Sequence, residues 1–100
     1  LDSREFLELF VAEAREHLEG LSGLLARARA GALAGEPIHD LFRHAHSLKG
    51  MALSLGLRPI GGLAHALEDV LHDWRKGSIQ PPPALIDTML LVADRLAAQV

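Results

Sequence analysis

The sequence predicts an all-α fold, an antiparallel up-down four-helix bundle, and three observations carry that prediction. Apolar residues return at spacings of three and four in four successive segments, the period of one face of a helix. The gaps between those segments are short and marked by Gly and Pro, and short gaps force neighbouring helices to run antiparallel. Hydrophobic residues make up 49% of the chain but aromatics only 4%. The core must therefore be Leu, Ala, Val and Ile, without the β-branched and aromatic runs that favour strands.

The first helix is expected to begin at Asp2, whose carboxylate can cap the N-terminus while Glu5 reaches back and Leu1 staples onto Phe6. Phe6, Phe10, Ala14, Leu18, Leu21, Leu25 and Ala28 then form one stripe, with Glu8, Glu13, Glu16 and Glu19 on the outer face. The stretch GALAGEP, residues 31–37, ends that helix, and Pro37 suits the first turn of the next. Helix two repeats Ile38, Leu41, Phe42, Ala45, Leu48, Ala52 and Leu55 until Gly56 stops it. Pro59 restarts the chain, and helix three reads Ile60, Leu63, Ala64, Leu67, Val70, Leu71 and Trp74 before Gly77 closes it. PPP at 81–83 opens a last helix with Leu85, Met89, Val92, Ala93 and Leu96 inward.

One hundred residues can bury one modest core and not two, so residues 1–100 read as a single domain. A formal charge of −3, from 10 basic and 13 acidic residues, lacks the basic face of a nucleic-acid binder. The absence of cysteine excludes disulfides and any thiolate zinc site. No apolar run approaches the roughly 20 residues that span a bilayer, and the acidic opening is not a signal peptide. With Leu1 where an initiator Met would stand, the expectation is a domain excised from a larger, multidomain cytoplasmic protein.

FRHAHSLKGMA, residues 42–52, is the segment that a plain bundle does not explain. On a helical wheel of about 100° per residue, His46 falls at the edge of the helix-two stripe. Lys49 and Gly50, at i+3 and i+4, are its surface neighbours. The same construction puts His65, Glu68 and His72 on one flank of helix three, and in an antiparallel pair the two flanks can meet. A carboxylate such as Glu68, accepting the imidazole N–H, would fix the tautomer and sharpen the free nitrogen as a nucleophile. Lys49 would neutralise phosphoryl oxygens arriving there. Gly50 costs about 1 kcal/mol against Ala in a helix, and its missing side chain would let a large partner approach His46. Taken singly, each has a plainer reading: an edge histidine, a snorkelling lysine, a glycine under a close helix crossing. His17, His39, His44 and His72 read as surface histidines with no shared task.

FRHAHSLKG followed downstream by LAHALEDVLHDWRKG, with FLELFVAEAREHLEGL at the start, resembles the histidine phosphotransfer (HPt) domain. It is most similar to the N-terminal phospho-acceptor domain of CheA-type chemotaxis histidine kinases. The resemblance covers nearly the whole chain. It implies a four- or five-helix bundle whose histidine takes the γ-phosphoryl of ATP from the kinase catalytic domain and passes it to an aspartate of a response-regulator receiver domain. Carried over by position, His46 is the phospho-acceptor and Lys49 assists the phosphoryl group. His65 and Glu68 complete the hydrogen-bond network, and Gly50 gives access. The family's usual small residues are replaced here by Met51 and Leu53, which bears on partner specificity. A fifth helix, seen in some members, would lie beyond Val100.

The chain holds no glycine-rich phosphate loop and no acidic Mg²⁺ cluster. It is therefore expected to be no enzyme on its own and to carry no cofactor, the ATP and Mg²⁺ belonging to partner domains. Two other readings compete. A metal-binding bundle is suggested by six histidines and by Glu36-x-x-His39, although that motif has no second copy. A helical docking module without chemistry, dimerising through Trp74, would need a spare apolar face that the stripes do not provide.

Overall fold

The computed structural model describes residues 2–31, 36–77 and 82–99, with side chains for all of these but positions 36, 37 and 99. Four helices follow one another: α1 (Ser3–Arg29), α2 (Glu36–Ser54), α3 (Arg58–Arg75) and α4 (Pro83–Gln99). The staple from Leu1, the linker at 32–35, Pro81 and anything after Gln99 fall outside the described residues. α1 begins as its sequence dictates, with the Asp2 carboxylate accepting the Glu5 backbone N–H at 2.8 Å. The chain leaves α2 through Gly56 at φ 72° and α3 through Gly77 at φ 79°, left-handed conformations that glycine adopts without steric cost.

Each helix packs on two neighbours, α1 on α2, α2 on α3, α3 on α4 and α4 on α1, so the four close a ring. Side-chain pairs at both ends fix the antiparallel sense. His39 of α2 meets Arg75 of α3 at one end, and Leu53 meets Gly61 at the other. The Arg29 guanidinium donates to Asp87 at 2.8 Å, tying the end of α1 to the start of α4. The molecule measures 43 × 21 × 20 Å, its long axis set by α1, whose 27 residues extend about 40 Å at 1.5 Å per residue.

The ring encloses an apolar core in which Leu21, Leu25, Leu41, Leu48, Leu71 and Leu96 are fully buried. The predicted stripes supply all of it but Ile86, and two segments depart from them, the start of α1 and the register of α4. Phe6 is 47% exposed: α1 outruns the shorter α2 and α3, and among the described residues Phe6 lies at the edge of the bundle, near Leu55 and Leu57 of the α2–α3 turn. In α4 the inward register includes Ile86, while Leu85 and Val92 are half-buried at its flanks. Trp74 is buried in the core, so it is no dimerising surface. Apolar surface does remain at the end where α1 starts and α2 finishes. There Phe6, Phe10, Met51 and Leu55 line a groove beside Gly50, and Leu7, Leu9 and Leu53 are exposed.

Candidate functional site

His46 stands on α2 with its side chain 62% exposed, and Glu68 stands opposite on α3, only 13% exposed. The two meet at 3.2 Å from His46 Nδ1 to Glu68 Oε2. Lys49, one turn along α2, bridges to the same carboxylate, with Nζ 3.0 Å from Oε1 and 2.9 Å from Oε2. This arrangement follows from helix geometry. His46 and Lys49 lie at i and i+3 on one edge of α2, and antiparallel packing brings the flank of α3 alongside.

The electrostatics follow from that contact. Burial by itself pushes the Glu68 carboxyl up, but hydrogen bonds from Lys49 and then His46, reinforced by their charges, hold it below its ordinary value. Glu68 is therefore an anion at neutral pH, and an anion accepts hydrogen bonds only. His46 must present a protonated Nδ1 to it, which leaves Nε2 with the lone pair. One face of the ring lies against Phe42, stacked at 5.9 Å and 15°. The imidazole is thus held in tautomer and in plane, with a nucleophilic nitrogen on an exposed side chain.

The structure brings His46, Glu68 and Lys49 together as the sequence predicts, with Lys49 bonded to Glu68 and not to the imidazole. Its side chain is 21% exposed and its ammonium is bonded to that carboxylate, leaving further N–H donors for an arriving anion. His65 does not join them. Its Nε2 lies 3.7 Å from Asp69 Oδ1 on its own helix, because its position three residues before Glu68 turns it outward. A Cβ at Gly50 would meet nothing within 4 Å. No neighbouring helix presses on that glycine, so the close-crossing reading does not hold, and the space beside His46 is open. The crossing glycine is Gly61, where a Cβ would come 2.9 Å from Leu53 Cδ2.

The histidines read as unrelated surface residues are in fact paired. His17 of α1 and His44 of α2 meet at 3.0 Å, Nδ1 to Nδ1. Burial, with His17 adding to it, holds His44 below the usual imidazole range. His39 and His72 both approach Arg75. The signal for the first pair was Gly20, three residues after His17, which leaves room for the His44 ring. For the second there was only the outward position of Arg75 at the end of helix three. Among the described residues, no three His, Asp or Glu side chains gather closely enough to hold a metal ion, which leaves the metal-binding reading without a site there. No helix, among the described residues, is long and apolar enough to cross a membrane.

Comparison with known proteins places this geometry. The Hpt domain family matches residues 5–99. Among curated relatives, the chemotaxis protein CheA of Listeria monocytogenes is 32% identical over 94 residues, 94% of this chain and 15% of the relative. That of Bacillus subtilis is 31% identical over 100 residues, all of this chain and again 15% of the relative. The chain therefore spans about one seventh of the proteins it matches, at roughly the length of one domain. Among solved structures, the CheA phosphotransferase domain from Thermotoga maritima superposes with a TM-score of 0.90 at 30% identity, covering 99% of this chain and 94% of that one. In sequence and in fold, from the first helix to the last, the chain belongs to the Hpt domain family.

Proposed function

We propose that this domain is a phosphorelay carrier in two-component, chemotaxis-type signalling. His46 takes the γ-phosphoryl of ATP held by a histidine kinase's catalytic domain and hands it to an aspartate of a response-regulator receiver domain. The observation that carries this reading is the His46–Glu68 contact, which leaves Nε2 as the free nucleophile of an exposed imidazole beside an open glycine. The Nε2 lone pair attacks the γ-phosphorus, the N–P bond forms, and the P–O bond to ADP breaks. The imidazole, still protonated at Nδ1, gains positive charge that the Glu68 carboxylate stabilises. In the return step an aspartate oxygen attacks phosphorus, the N–P bond breaks, and its electron pair goes back to Nε2. Lys49 meets the phosphoryl oxygens with its remaining N–H groups. Nucleotide and Mg²⁺ come from the partners in this reading, and a cytoplasmic location goes with it.

The test needs no partner. The purified domain is treated with a small phosphoramidate and the acid-labile phosphate is mapped among its six histidines. His46 is expected to label well ahead of the others, and His46→Gln to remove that signal while changing the unfolding free energy by no more than about 0.5 kcal/mol, the small range of exposed substitutions. Equal labelling of all histidines would end the proposal.

A further inference from the structure

One turn along α2 from His46, on the same flank, several side chains gather whose arrangement the phosphoryl chemistry does not require. Arg75, the last residue of α3, lays its guanidinium over the Phe42 ring, 4.0 Å from the centroid. Its Nη1 lies 3.4 Å from His39 Nδ1 and its Nη2 3.4 Å from His72 Nδ1. Phe42 stacks on His46 and also tilts against His72, at 5.9 Å and 46°. Arginine over an aromatic face is a favoured seat, and this seat fixes where the charge stands. A guanidinium can only donate hydrogen bonds, so both histidines accept at Nδ1 and carry their proton on Nε2. The result is a ledge with one fixed positive charge and two imidazole N–H groups.

That charge is not answered from within the described side chains. Asp40 lies 3.4 Å from Arg43, Asp69 lies 3.7 Å from His65, and Glu68 is held by His46 and Lys49. Among the described side chains neither these carboxylates nor that of Asp73 forms an ion pair with Arg75. The chain as a whole is negative, at −3, and the outer face of α1 carries Glu8, Glu13, Glu16 and Glu19. The outer face of α1 repels an acidic partner surface, whereas the Arg75 guanidinium offers one a positive seat on the α2–α3 flank, where Asp40, Glu68 and Asp69 are already paired. The separations across Phe42, 5.9 and 4.0 Å, keep the guanidinium within about 10 Å of the imidazole, one Debye length at 0.1 M salt.

We propose that the Arg75 ledge is a docking site for an acidic surface segment of the receiver domain that takes the phosphoryl group from His46. The proposal rests on the phosphorelay reading and adds to it how the partner is oriented. Arg75 is a docking residue: it touches the partner and not the reacting atoms. His39 and His72 steady its guanidinium, and Phe42 couples its place to that of the His46 ring.

The experiment compares two rates in each variant, labelling of His46 by phosphoramidate and transfer from phospho-His46 to a receiver domain that accepts from the wild-type chain. For Arg75→Ala the ratio of transfer to labelling is expected to fall about 10-fold at low salt, the scale of electrostatic steering by a single well-placed charge. The loss should appear in KM rather than kcat. It should vanish near 1 M salt, where the Debye length is ~3 Å. Arg75→Lys, which keeps the charge, should recover most of the ratio. A ratio unchanged in Arg75→Ala would overturn the proposal, as would a loss that persists at high salt. Failure of wild-type His46 to label would instead bring down the phosphorelay reading itself, and the ledge's role with it.

Discussion

Glu68 is the residue on which the site turns, because among the described residues it alone hydrogen-bonds both His46 and Lys49. Its folded-state pKa is held below the ordinary carboxylate value, so the native state binds fewer protons there than the unfolded chain. The stability this supplies is present above the unfolded pKa and is lost as pH falls through the folded one. Glu68→Gln should therefore be less stable than wild type at neutral pH, and the gap between their denaturation midpoints should close as pH drops through the usual carboxylate range. A gap constant with pH would mean that the carboxylate's ionisation is not coupled to folding. The same variant should label with phosphoramidate about 10- to 100-fold more slowly, by analogy with the loss when the carboxylate partner of a metal-ligating histidine is removed. At this scale the sequence disclosed His46, Lys49 and Glu68 through their spacing on two helix edges. It did not disclose that His65 points away, since a flank on a wheel is broader than the reach of one carboxylate.

Between helices, the contact most sensitive to a single atom is that of α1 with α2. A Cβ at Gly20 would sit 2.5 Å from His44 Nε2 and 2.8 Å from Cε1, so Ala at 20 must drive the His44 ring away from His17. Against that, Ala in place of Gly favours a helix by about 1 kcal/mol. Gly20→Ala is therefore expected to stabilise the protein by about that amount in a His44→Ala background and to lose the gain when His44 is present. A double-mutant cycle by denaturant unfolding measures the coupling, and strict additivity would show that the ring yields freely. Gly20 is the one mark of this contact in the sequence, because periodicity assigns residues to faces and says nothing of which side chains meet across an interface. Helix boundaries, by contrast, were written in Asp2, Gly56, Pro59 and Gly77, whose local chemistry acts without help from packing.

For the molecule as a whole, stability resides in the apolar ring of contacts. Leu67, 3% exposed, contributes to it from the centre of α3. Leu67→Ala is expected to cost about 2–5 kcal/mol, read as a drop in the denaturant midpoint with little change in slope. A near-neutral result would mean that α3 is turned about its axis. The bundle was legible because four stripes of the same period, joined by short gaps, admit few other folds. The exposed Phe6 was not, since helix length relative to its neighbours decides whether a stripe's last residue finds a partner. Among the described residues the interior holds no buried polar or charged side chain. Such an interior offers a phosphoryl group nothing to rearrange, as a switch needs two packings of similar energy and a group that distinguishes them. On the phosphorelay reading the domain is thus a courier and not a lever: its message is a covalent bond on one exposed ring, read by whichever surface meets that ring next, above a described interior that is apolar throughout.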